Sequence, residues 1–169
     1  MLLYHGSNSV IKIPDLTLSR RSLDFGTGFY TTVNRDQAIE FANKVTARKG
    51  YHNPTVSVYD VDITSVEAGL KILRFSSPNR DWLNFIHQNR KLVYNGENYD
   101  LVIGPVANDD VYATLLVYEQ GILNIEQTIE ALKVKNLYNQ FVFKTKRSLL
   151  FLKYVNSFTP ANTVGQELP

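Results

Sequence analysis

The chain has no cysteine. That excludes disulfides, thiolate metal sites and a cysteine nucleophile, and it fits a reducing compartment. Histidine is scarce: His5, His52 and His87 are scattered without paired spacing, which argues against a dedicated zinc site. No apolar run approaches the length of a membrane span. The first ten residues hold too few apolar side chains for a signal peptide. A soluble, cytoplasmic protein without a membrane partner is therefore expected. Gly26 and Gly28 are not followed by the Gly-Lys-Ser/Thr of a Walker loop, and no serine nucleophile elbow occurs. Acid is missing over a long stretch. Between Ala131 and Gln166 there is no Asp or Glu, while Lys133, Lys135, Lys144, Lys146, Arg147 and Lys153 all fall there. Such a span can steer a phosphate-bearing ligand or an acidic partner. A solvated surface is the slightly favoured reading of it.

What is present describes a folded domain. The 169 residues suffice for one domain with a real core. At 44% hydrophobic and 20% charged, the composition is that of a globular protein. Ten Tyr and nine Phe suit a β-rich core or a stacking pocket.

The chain is organised around Asp24-Phe25-Gly26-Thr27-Gly28-Phe29-Tyr30-Thr31-Thr32. Two glycines permit a tight turn and close approach of a ligand or another backbone. Phe29 to Thr32 favour a strand. Asn34 is a good N-cap for a helix over about 35–49 with Ala38, Phe41, Ala42 and Val45 on one face. The stretch reads as a floor for a flat ligand, or as a hairpin arm packed on a core helix. Around it, strands are expected at 2–7, 54–63, 70–75, 99–105 and 139–145. Helices are expected at 79–91, from Asn108 or Asp109 to about 120, at 122–135, and as a short turn within 146–153. The whole is a single mixed α+β domain over 1–158, with a polar tail at 159–169. Asp109-Asp110 reads as a helix start before it reads as a carboxylate pair.

Three segments carry a resemblance. Tyr4-His5-Gly6-Ser7, Phe25-Gly26-Thr27-Gly28-Phe29-Tyr30-Thr31 and Asn139-Gln140-Phe141-Val142-Phe143 resemble, in this order, the signature segments of the ADP-ribosyltransferase superfamily. The branch is the one shared by poly(ADP-ribose) polymerases and diphtheria toxin. The first two segments also resemble those of a family of small bacterial proteins assigned to that superfamily. The resemblance implies a split, mixed β-sheet flanked by helices, with NAD as substrate. It implies that His5 bonds an adenosine ribose hydroxyl, that the Gly6 backbone holds the nicotinamide carboxamide, and that Tyr30 stacks on the nicotinamide. Phe41 stands eleven residues after Tyr30, where a second stacking aromatic is found. Ala38 replaces the usual Ser, and Gln140 stands at the position of the catalytic Glu. Arg20 is a candidate clamp for the pyrophosphate, and Asp24 a candidate for orienting an arginine or the turn.

NAD cleavage passes through an oxocarbenium-like sugar. A cationic nicotinamide stacked on Tyr or Phe gains about 1–2 kcal/mol when desolvated. Gln140 accepts a hydrogen bond but is neutral and takes no proton. This argues against chain elongation and leaves transfer of a single ADP-ribose. The expectation is an NAD-dependent mono-ADP-ribosyltransferase acting on a macromolecule, protein before nucleic acid. An intracellular bacterial toxin with an antitoxin or regulator would fit. The rival is a non-catalytic module binding NAD or ADP-ribose. NAD-dependent removal of an RNA 2′-phosphate ranks lower, because Tyr30 and Gln140 stand where basic groups would be needed. A purely structural interaction domain is the last alternative.

Overall fold

The computed structural model describes residues 1–19, 23–50, 53–105, 109–133 and 138–160. In chain order the elements are β1 (Leu2–Ser7), a 3-10 turn (Leu16–Leu18), β2 (Phe29–Thr32), α1 (Arg35–Lys49), β3 (Thr55–Asp60), α2 (Ile63–Gly69) and β4 (Ile72–Arg74). Then follow α3 (Arg80–Arg90), β5 (Leu101–Pro105), α4 (Asp109–Glu119), α5 (Ile125–Lys133), β6 (Asn139–Phe143), α6 (Lys146–Leu149) and β7 (Lys153–Phe158). Among the described residues one sheet takes all seven strands, in the order β4-β5-β6-β2-β1-β3-β7. Only β4 and β5 run parallel; the other pairs are antiparallel. The fold is thus α+β, a mixed sheet flanked by helices.

Caps explain most boundaries. Asn34 accepts from Gln37 N at 2.9 Å and opens α1, and Gly50 closes it at φ 68°. Asn79, rather than Ser77, caps α3. Two boundaries, one helix and one strand depart from the sequence reading: α2 (Ile63–Gly69) is the unexpected helix. The strand expected to reach 63 stops at Asp60, because Asp62 caps α2 by accepting from Thr64 N and the Ser65 hydroxyl. The helix expected from 122 begins at Ile125, where Asn124 and Gln127 exchange reciprocal hydrogen bonds. Strand β7 was not expected at all; its Tyr154, Asn156 and Phe158 pair with Tyr59, Val58 and Val56 of β3.

Alternation along the strands separates two faces. One face carries Leu3, Phe29, Tyr59, Leu101, Ile103, Phe141 and Phe143, packed with Val66 and Leu70 of the α2 region and with Leu149 of α6. The opposite face is covered in two separate patches. Over β5 and β6, Val102 and Val142 meet Trp82, Leu83 and Ile86 of α3, Leu115 of α4 and Leu132 of α5. Over β1 and β3, Tyr4 and Val56 meet Ala38 and Ala42 of α1. Strand β2 lies between those patches.

Candidate functional site

Tyr30 is held by its own turn. Its hydroxyl donates to the Gly26 carbonyl at 2.6 Å and accepts from Phe25 N–H at 3.1 Å. Gly26 adopts φ 73°, a left-handed conformation open to glycine. Burial pushes the phenol well above its ordinary pKa, so the group stays protonated and is no base. Two side chains from elsewhere grip the same turn. The Lys144 ammonium donates to the Phe25 carbonyl. Arg90 Nε donates to Asp24 Oδ1 at 2.7 Å, in a pair only 12% and 17% exposed. Arg90 also approaches Glu119 Oε1 at 3.6 Å and lies over the Tyr112 ring. Burial raises the Asp24 carboxyl above its usual range, against the attraction of Arg90. The Asp24 expectation is met: it orients an arginine.

His5 sits in β1 on the face of the Phe29 core. Its ring stacks on Phe29 with centroids 4.3 Å apart. Its Nδ1 donates to the Tyr30 carbonyl at 2.7 Å. That bond crosses a seam. Strand β1 pairs with β3 from Leu2 to Ser7, but with β2 only at Tyr4 opposite Thr32. Burial holds the imidazole pKa below 6.5. The ring is therefore neutral at physiological pH, with its proton on Nδ1, and Nε2 is an acceptor with no hydrogen bond among the described residues. Gly6 serves packing as well: a Cβ there would run into the Ala38 carbonyl and come within 2.8 Å of Ala42 N.

Gln140 is the second residue of β6, opposite Thr32 on one side and Gly104 on the other. It shares a face with Tyr30, diagonally across the strand pair. It is 5% exposed, and its Nε2 has no hydrogen-bond partner among the described residues. Such an orphaned donor is costly unless something arrives to satisfy it. Next to it, the Thr32 hydroxyl donates to Gln37 Oε1 of α1 at 2.7 Å. Phe41, on α1, is 53% exposed, a ring presented rather than packed. Ala38 is 2% exposed, in the contact with β1. Arg20 lies outside the described residues. The structure thus brings Tyr30 and Gln140 to one face and sets His5 on the other, joined to them through the main chain of β2.

A family model described as "Protein of unknown function (DUF3990)" matches residues 1–154. The chain belongs to the DUF3990 family. No curated protein and no solved structure matches it.

In this DUF3990 chain the sequence reading missed Lys144 and Arg90 as parts of the site. Arg90 lies 66 positions from Asp24, with nothing local to mark the pair. Lys144 was visible only as one cation of the acid-free span. Asn89, 7% exposed, donates to the Phe85 carbonyl and turns its Oδ1 toward Gly26. A cavity of about 290 Å³ opens there, lined by Gly26, Thr27, Asn89, Leu92 and Tyr94. Among the described residues, no group of three or more His, Asp or Glu could hold a metal ion. No helix among them is long and apolar enough to cross a membrane.

Proposed function

We propose that this protein is an NAD-dependent mono-ADP-ribosyltransferase, built on a split mixed sheet of the ADP-ribosyltransferase kind. The observation that carries the reading is the seam. His5, Tyr30 and Gln140 lie on three adjacent strands, β1, β2 and β6, where the β1–β2 ladder is reduced to a single pair. A neutral His5 with a free acceptor at Nε2 suits a donating ribose hydroxyl. A Tyr30 ring fixed at its hydroxyl end suits stacking on nicotinamide. The unpaired Gln140 Nε2 and its amide oxygen suit the hydroxyls of the nicotinamide ribose. Exposed Phe41 supplies a second ring.

In this mechanism the aromatic side chains hold the nicotinamide while its glycosidic bond to the ribose breaks. The sugar becomes oxocarbenium-like and the acceptor attacks it. Gln140 orients the sugar but supplies no negative charge, so the acceptor must bring its own nucleophilicity. The acceptor is a macromolecule, protein before nucleic acid, and an antitoxin or regulator would restrain the reaction in the cell. A second reading is a module that binds NAD or ADP-ribose without cleaving it. Two observations favour it: Gln140 is neutral and almost fully buried, and His5 faces the other core.

The test is nicotinamide release from NAD by the purified chain, with and without cell lysate, beside His5→Ala and Tyr30→Ala proteins of checked fold. Release abolished by both substitutions is expected. No release, with NAD binding that Tyr30→Ala weakens, would move the assignment to the binding module. Neither release nor binding would end both readings.

A further inference from the structure

We propose that Lys144 is a positioning residue for Tyr30, a latch whose ammonium holds the glycine turn against the end of β6. The inference rests on the reading of Tyr30 as the stacking residue only for its functional consequence; the latch itself stands on geometry. Lys144 directly follows β6, and its main-chain N–H bonds the Asp100 carbonyl at 2.8 Å. Its side chain turns back to the Phe25 carbonyl. The same Phe25 residue donates its N–H to the Tyr30 hydroxyl, and that hydroxyl donates to Gly26. A Cβ added at Gly26 would lie 3.1 Å from Lys144 Nζ, so the amine is seated against the turn itself. One side chain thus joins the strand of Gln140 to the ring of Tyr30.

No described carboxylate bonds this amine. Asp24 is taken by Arg90, which also approaches Glu119 with His87 beyond it. Asp100 bonds the Thr145 hydroxyl and Lys71 N. Lys146 and Arg147, on α6, are exposed. Burial without a counter-charge lowers the Lys144 pKa to about 8. Below that pH the bond to Phe25 is charge-assisted; above it a neutral amine donates far more weakly. The phenol of Tyr30 lies well above this window and the imidazole of His5 below it. Releasing the latch does not weaken the fold. Between about 8 and 10.5 the unfolded chain holds the extra proton, so stability rises with pH there while the turn is let go.

The test follows the carbon-13 signals of the Phe25 carbonyl and the Tyr30 ring, and NAD affinity, from neutral to alkaline pH. In the native chain both signals should move with a midpoint near 8, and the NAD Kd should rise about tenfold, the worth of one charge-assisted hydrogen bond. Lys144→Arg, charged throughout, should hold the low-pH signals and affinity across the range. Lys144→Met should hold the high-pH values. Signals that do not move near pH 8, or that move equally in Lys144→Arg, would overturn the latch even if Lys144→Met failed to fold. Signals that move as expected in a chain that never binds NAD would uphold the latch and remove the enzymatic reading instead.

Discussion

Single residues carry unequal weight, and their environments say which. Gly6→Ala places a methyl against main-chain atoms of α1 that cannot step aside. A loss of about 1–3 kcal/mol is expected, read as a lower urea midpoint. Tyr30→Phe keeps the ring but strands the Gly26 carbonyl and the Phe25 N–H. It should also cost about 1–3 kcal/mol, with the NAD affinity loosened and not abolished. His5 gives a pH signature. Its imidazole is below 6.5 in the fold and near 6.5 when unfolded, so the unfolded chain binds more protons as pH falls. Stability should therefore decline on acidification below about 6.5, and His5→Gln should flatten that part of the curve of urea midpoint against pH. On the proposed mechanism, Gln140→Glu would place a negative charge opposite the sugar cation. Nicotinamide release about a hundredfold faster is expected, with a less stable protein from the buried carboxylate. Release no faster than that of the native chain would mean that Gln140 does not face the sugar. The sequence singles out His5, Tyr30 and Gln140 as candidates because each sits in a short, ordered segment. It could not show that His5 faces the opposite side of the sheet from Tyr30 and Gln140, since that depends on register.

Among the elements, α3 does the least visible work. It reads from sequence as a core helix, and Trp82, Leu83 and Ile86 are fully buried. Its last residue, Arg90, is also the clamp on Asp24, and so on the glycine turn. Removing the guanidinium leaves a buried carboxylate unpaired, while removing the carboxylate leaves Arg90 with Glu119 and Tyr112. Arg90→Ala should accordingly cost about 3–5 kcal/mol and Asp24→Asn clearly less, a ranking that chemical denaturation would check. A reversed ranking would mean that Asp24 holds the turn independently of Arg90. Elements with strong local signals, β1, β2, α1 and α3, were legible because cap residues and alternation agree. Helix α2 was hidden because Ile63 continues the apolar alternation of β3, and only the capping by Asp62 breaks it. Strand β7 was hidden because its pattern is weak: Val155 and Asn156 are exposed and Tyr154 is half-buried.

For the whole molecule, β7 is a cover. It shields the outer edge of β3, whose residues from Thr55 to Tyr59 are all buried. A chain ending at Leu152 would bare that edge, and exposed edges recruit other strands. Such a truncation should elute from a sizing column as oligomer or aggregate, where the full chain does not. The overall class, α+β with helices on a mixed sheet, was legible from the alternation of element types. The order of strands was not, because it is set by pairings between residues more than a hundred positions apart, such as Tyr30 with Val142.

That strand order also has a consequence in time. Strand β6 lies between β5 and β2, yet both of its neighbours precede it in the chain. As the protein leaves the ribosome, β2 and β5 cannot come together through it until Asn139–Phe143 has been made. Gln140 and Lys144 arrive with that insertion, so Tyr30 waits unlatched until β6 has been made.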